Sequence, residues 1–356
     1  MTVRLYLHIG TEKTGSSYIQ TLCVKGRSYL EANGILFPEG IARHEKRMQA
    51  GLVSAGNGFR ISEYVRQRQW SAVSCELLNN RLLAEGRDYR AVCLSSELLL
   101  PVAAEPGAWE GLFSAAQKAG FSEITVLIVL RDPVDQLISL YKHRAKSGTA
   151  GKVEEWVRND YRLPDDLAAL RLGAETSRIQ LVARGFTREP GGLERIFFAD
   201  WLGVRTPQVR IGAEVNPSLS LSELELVRQM NDRCPELVPF LHQSLAGVPR
   251  KAKIQGLALE AYAHAVAEKS IWESREEWKR WNDVLSDDER LDIPAKSPNV
   301  QKRPTEVEFS IRQIEALADF MAESAQLRFI AKLWWKSRLR PSLGNIKKRF
   351  LSNRVR

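Results

Sequence analysis

The chain has little cysteine, little histidine and no long apolar run. Its 356 residues hold four cysteines (Cys23, Cys75, Cys93 and Cys234), widely spaced and without a CxxC pair. That spacing excludes a zinc ribbon and a disulfide framework. Cys23 and Cys93 sit among apolar neighbours and read as small buried hydrophobes. Of the five histidines, His143, His242 and His264 show no ligand spacing, and His8 reads as a packed core residue. No metal is therefore expected. No apolar stretch approaches the roughly 20 residues that cross a bilayer. The first residues run straight into a strand-like segment, so no signal peptide is expected and the expected location is cytoplasmic. No internal repeat is present. Apolar content of 44% and charged content of 27% are ordinary for a globular chain. The length suffices to bury a core without staples.

The C-terminal end lacks acid. From Lys332 onward nine residues are basic (Lys332, Lys336, Arg338, Arg340, Lys347, Lys348, Arg349, Arg354 and Arg356) and none is acidic, which accounts for the whole formal charge of +9. The remainder is neutral, so no nucleic-acid-binding face is expected. The organisation reads as one α/β domain over 1–331 and a basic tail over 332–356. The tail reads as a solubilising end. The alternative is weak contact with an anionic membrane surface, which Trp334 and Trp335 beside Lys332 and Lys336 favour.

Four strands are legible. Val3 to Ile9 is short, β-branched and aromatic-rich; Ile35-Leu36-Phe37-Pro38 and Ala91 to Ser95 also read as short strands. Ile124 to Leu130 is the most apolar run in the chain and suits a strand buried on both faces. After the first strand comes a glycine-containing turn, then Ile19, Leu22, Cys23 and Leu30 at helical spacing, then Asn33-Gly34 as a stop. A strand–loop–helix–strand unit implies a parallel sheet, here of about four or five strands flanked by helices. Asp132 and Pro133 read as the N-cap and first residue of a helix carrying Val134, Leu137, Ile138 and Tyr141 inward. The C-terminal half reads as mainly helical, with capping boxes at Ser220–Glu223 and Ser310–Gln313. Residues 271–305 read as long loops.

The strand, glycine turn and helix N-terminus form an anion site by physics alone. Lys13 adds a full charge, and Thr14, Ser16 and Ser17 add hydroxyls. The loop is not a Walker A loop: lysine precedes the second glycine of Gly10-Thr-Glu-Lys-Thr-Gly15 instead of following it. No strand-ending Asp stands out as a magnesium ligand, which weakens kinase and GTPase readings.

The stretch Leu7-His8-Ile9-Gly10-Thr11-Glu12-Lys13-Thr14-Gly15-Ser16-Ser17 resembles the 5′-phosphosulfate loop of sulfotransferases that use 3′-phosphoadenosine 5′-phosphosulfate (PAPS), bacterial members especially. Val129 to Tyr141, containing Arg131-Asp132-Pro133 and Ser139, is similar to their 3′-phosphate motif. The resemblance covers 3–40 and 90–145 well. It is weaker over 196–231, where Asn216-Pro-Ser218 is familiar, and over 310–330. It implies a P-loop-like fold and PAPS as co-substrate without metal. It further implies that Thr11, Glu12, Lys13, Thr14, Gly15, Ser16 and Ser17 hold the donor's 5′ end, with Arg131 and Ser139 at the 3′-phosphate. The acceptor it implies is a hydroxyl on a carbohydrate or glycolipid.

Sulfuryl transfer needs in-line positioning, neutralisation of leaving-group charge and a base for the acceptor hydroxyl. Lys13 is the expected charge stabiliser. Glu97 and His44 are equal candidates for the base, with Glu39 behind; sulfotransferases resembling this chain use either Glu or His. Arg131 could instead pair with Asp132 or Asp135, and Glu97 could be a first-turn helix acid. Two rival functions stand beside the enzyme: a P-loop kinase of a small molecule, and a non-catalytic module that senses the desulfated donor.

Overall fold

The computed structural model describes residues 3–146, 150–177, 179–209, 219–248, 257–304 and 309–323. Within the span read above as one domain, the chain divides into two compact units. The first takes in Met1–Tyr141, Lys152–Asn216 and Ala261–Lys302; the second takes in Lys142–Gly151, Pro217–Glu260 and Arg303–Arg356.

The first unit is built on five strands: β1 (Arg4–His8), β2 (Ile35–Leu36), β3 (Ala91–Ser95), β4 (Ile124–Leu130) and β5 (Gln180–Gly185). Their order is β2-β3-β1-β4-β5, with every neighbouring pair parallel. Parallel neighbours require crossovers, which cover both faces of the sheet, and that is why the strand sequences are apolar throughout. All of β3 is buried, as is all of β4 except Thr125. Between strands run α1 (Ser16–Lys25), α2 (Ala42–Gln49) and α3 (Pro133–Ala145), among others. On one face Ile19, Leu22 and Cys23 of α1 pack with Leu127 and Val129 of β4 and with Phe197 and Trp201. Truncating such a side chain to alanine costs about 2–5 kcal/mol.

Five strands agree with the four or five expected, but one of them was not located in the sequence and one loop reading needs revision. β5 was not foreseen: its sequence Gln-Leu-Val-Ala-Arg-Gly is half-exposed at the sheet edge and carries a weak pattern. The loop reading of 271–305 fails over Arg275–Asn282, which is a helix that buries Trp278 and Trp281 completely. Charge masked this helix, although two tryptophans three apart share a helical face.

In the second unit Ser220 caps α4 (Leu221–Arg233) through the expected box, with Glu223 N–H on Ser220 Oγ at 3.2 Å and Ser220 N–H on the Glu223 carboxylate at 2.7 Å. The Ser310–Gln313 box forms too, at the start of a helix over 311–323. Buried Gln313 donates to buried Glu223 at 2.9 Å. Asn216 to Ser218 and the tail 332–356 lie outside the described residues. No described helix is long and apolar enough to cross a membrane.

Candidate functional site

The site begins where β1 runs out. Past His8 the backbone stays zipped to β4: Ile9 N–H donates to Leu127 O at 3.1 Å, Val129 N–H to Gly10 O at 2.8 Å and Thr11 N–H to Val129 O at 3.2 Å. The chain then turns through Lys13, whose φ of 68° is left-handed, and Gly15, at φ 86°. A non-glycine residue held there costs about 1–2 kcal/mol. Glycine suits position 15 because its φ is unfavourable to L side chains, and a Cβ there would stand 2.5 Å from the Leu193 Cδ2 methyl, which would have to shift.

From Gly15 the chain enters α1 with no side-chain cap and no acid in the first turn. Its first N–H groups are thus left for a ligand, at the positive end of the helix. Ser16 Oγ is buried and has no hydrogen-bond partner among the described residues. A buried orphan hydroxyl at an uncapped helix start fits a phosphate or phosphosulfate oxygen. The other hydroxyls divide. Thr11 donates to Val129 O at 3.0 Å and accepts from Gln136 Nε2; Thr14 donates to Thr11 O at 2.6 Å. These two brace the loop. Ser17 is half-buried, and its carbonyl takes the Thr21 hydroxyl at 2.8 Å. Glu12 is half-buried, and its carbonyl accepts from Gln136 Nε2 at 2.9 Å.

Arg131 follows β4 as expected, and α3 starts at Pro133 with Asp132 Oδ1 taking the Asp135 N–H at 3.0 Å. Burial, the largest influence, raises the Asp132 pKa, and the hydrogen bond opposes it. The Arg131 guanidinium faces the lysine loop: Nη1 lies 3.4 Å from Lys13 O, Nη2 pairs with Asp135 at 3.2 Å, and Phe186 lies under it at 5.7 Å. Its Nε is buried without a partner among the described residues. The pairing read as an alternative to function is thus present, with Asp135 and not Asp132, and it leaves part of the fork unsatisfied. Ser139 is partly exposed on α3. It stands three residues beyond Gln136, which holds the loop, and four beyond Asp135, which holds Arg131. It therefore shares their side of the helix.

The base candidates separate. Glu97 follows β3 and lies against the loop's first turn: a Cβ built on Gly10 would stand 3.3 Å from Glu97 Cβ. His44, on α2, accepts the Ala55 N–H on Nδ1 at 3.2 Å and lies 4.6 Å from the Phe59 ring. A backbone N–H can only donate, so Nδ1 holds its lone pair there and the neutral ring carries its proton on Nε2. Burial first, then Arg43 and Arg47, lower its pKa. Glu39 is exposed beyond β2. His8 is the core residue it was read to be. It is buried, its Nδ1 is 2.9 Å from Ser95 Oγ, and desolvation pushes its pKa down to about 4.

Sequence reasoning gave no role to Gln136, the strut between α3 and the loop, or to Phe186, Arg188 and Leu193. The last three follow β5, whose register with β4 aligns Leu130 with Gly185. Asp166, at the start of the helix Leu163–Thr176, has its pKa raised to about 6 by burial first, then by Asp165 and Glu105, with Glu12 contributing. Set against protein-family models, curated proteins and solved structures, the chain matches none of them.

Proposed function

We propose that this chain is a sulfotransferase that moves the sulfuryl group of PAPS to an acceptor hydroxyl. The observation that carries the reading is the convergence of two strand-end anion sites. The loop after β1 ends in an uncapped helix start with an orphan Ser16 hydroxyl, and the guanidinium after β4 reaches within 3.4 Å of Lys13 O. One adenosine nucleotide phosphorylated at both ends would engage the two together. Such crevices at the carboxyl ends of parallel strands are where open α/β sheets bind ligands.

In this reading Lys13, with the first N–H groups of α1, holds the 5′-phosphosulfate; Ser16 and Ser17 add hydroxyl donors. Arg131 and Ser139 hold the 3′-phosphate. Thr11, Thr14, Gly15 and the Glu12 backbone give the loop its shape. Glu97, beside Gly10, takes the proton of the acceptor hydroxyl as its oxygen attacks sulfur. The bond from sulfur to the bridging oxygen breaks, and Lys13 stabilises the charge that collects on the phosphate leaving group. No step calls for a metal. The acceptor, a carbohydrate or glycolipid hydroxyl, rests on the resemblance alone.

Titration calorimetry tests the donor site. Adenosine 3′,5′-bisphosphate should bind without magnesium, and ATP should bind weakly with or without it. The opposite preference would favour a kinase. Transfer of radiolabelled sulfate to an acceptor panel then separates an enzyme from a sensor. Lys13→Ala should lower turnover by about 10²-fold or more, the usual cost of losing a transition-state charge stabiliser, with an unchanged unfolding midpoint. Undiminished turnover would remove Lys13 from the chemistry.

A further inference from the structure

The carboxyl end of β5 brings a second guanidinium to the Arg131 site. β4 and β5 are parallel, with Leu130 opposite Gly185, and Phe186 N–H donates to Leu130 O at 2.6 Å. The residues just past each strand are therefore neighbours: Arg131 after β4, and Phe186, Thr187 and Arg188 after β5. Arg131 lies over the Phe186 ring, and Arg188 Nη2 bonds the same Asp135 Oδ2 oxygen that Arg131 Nη2 holds at 3.2 Å. The two arginines differ in setting. Arg131 is 19% exposed with an orphan Nε, whereas Arg188 is 71% exposed and has length to move.

Two guanidiniums share one carboxylate, so these three side chains together carry a formal charge of +1. A phosphate monoester brings about −1.5 to −2 charges and three acceptor oxygens near neutral pH, a better match to two forks than a single carboxylate. Arginine suits the task because its planar fork grips phosphate in two places at once. Asp135 bonds both arginines, keeping the exposed Arg188 within reach of the half-buried Arg131.

We infer that Arg188, held in readiness by Asp135, is a ligand of the nucleotide's 3′-phosphate and sets the preference for 3′-phosphorylated over plain adenosine 5′-nucleotides. The inference rests on the proposed donor site and adds a residue outside both sequence motifs.

The test is calorimetry on the full chain with two probes, adenosine 3′,5′-bisphosphate directly and adenosine 5′-monophosphate by competition. Arg188→Ala should weaken the bisphosphate by about tenfold, the loss of one charge-assisted pair, and leave the monophosphate unchanged. Arg188→Lys, which keeps the charge and loses the fork, should fall between. The exposed position makes misfolding no obstacle, and an unchanged unfolding midpoint in each variant confirms it. Equal losses for both nucleotides, or no loss for either, would overturn the assignment while leaving the donor site standing. No bisphosphate binding by the unaltered protein would sink the donor site, and this ligand with it.

Discussion

Glu97 and His44 look equivalent in sequence, each a titratable residue a few positions past a strand, and their neighbours tell them apart. The His44 lone pair is occupied by the Ala55 N–H, and burial with two flanking arginines disfavours the protonated ring. Glu97 lies against the turn that opens the lysine loop. Glu97→Gln keeps the shape and removes the basic oxygen, so turnover should fall by about 10²-fold or more, the scale of general-base catalysis, at unchanged bisphosphate affinity. His44→Gln should retain turnover and lose stability through the Ala55 contact. Paired kinetics and calorimetry on the two variants decide the matter, and the reverse pattern would hand the base to His44. The same contrast separates the loop hydroxyls. Ser16 is buried with no partner among the described residues, while Thr11 and Thr14 spend their protons on carbonyls.

Between elements, the decisive joint is α3 against the loop after β1. Gln136 Nε2 reaches both Thr11 Oγ1 and Glu12 O, so one buried amide ties α3 to the loop after β1. Gln136→Leu would leave those acceptors buried without their donor, at about 1–3 kcal/mol. Denaturant titration should show that loss, and calorimetry should show weaker bisphosphate binding as the loop loosens. Full affinity in the variant would mean that the loop holds its own shape. The strut sits in the stretch that carries the 3′-phosphate resemblance, yet nothing in a run of apolar and polar letters says that an amide on one helix faces a turn more than a hundred residues earlier. β4 was legible because a strand buried on both faces has to be apolar throughout. β5, half-exposed with Arg184 in it, was not, and Arg188 was hidden with it: only the β4–β5 register brings that side chain beside Arg131. The capping boxes were legible because capping is local. The Trp278–Trp281 helix was missed because its charged face outweighed a two-tryptophan stripe.

For the whole molecule, charge poses the sharpest question. The formal +9 belongs to residues 332–356, yet the ligand proposed for this chain is a polyanion. Either the tail supplies the attraction or the sheet edge does. The sheet edge has its own means: Lys13, Arg131 and Arg188 gathered past three strand ends, those of β1, β4 and β5, together with an uncapped helix start. A chain ending at 331 keeps every one of these groups and should bind adenosine 3′,5′-bisphosphate as tightly as the full chain in physiological salt. It should lose any retention on anionic vesicles, since that attraction scales with the number of basic residues at about 1 kcal/mol each. Its formal charge would be zero, so it should also precipitate more readily near neutral pH. A large drop in nucleotide affinity on truncation, with a shallower salt dependence, would place the donor's charge partners in the tail and take them away from the strand ends.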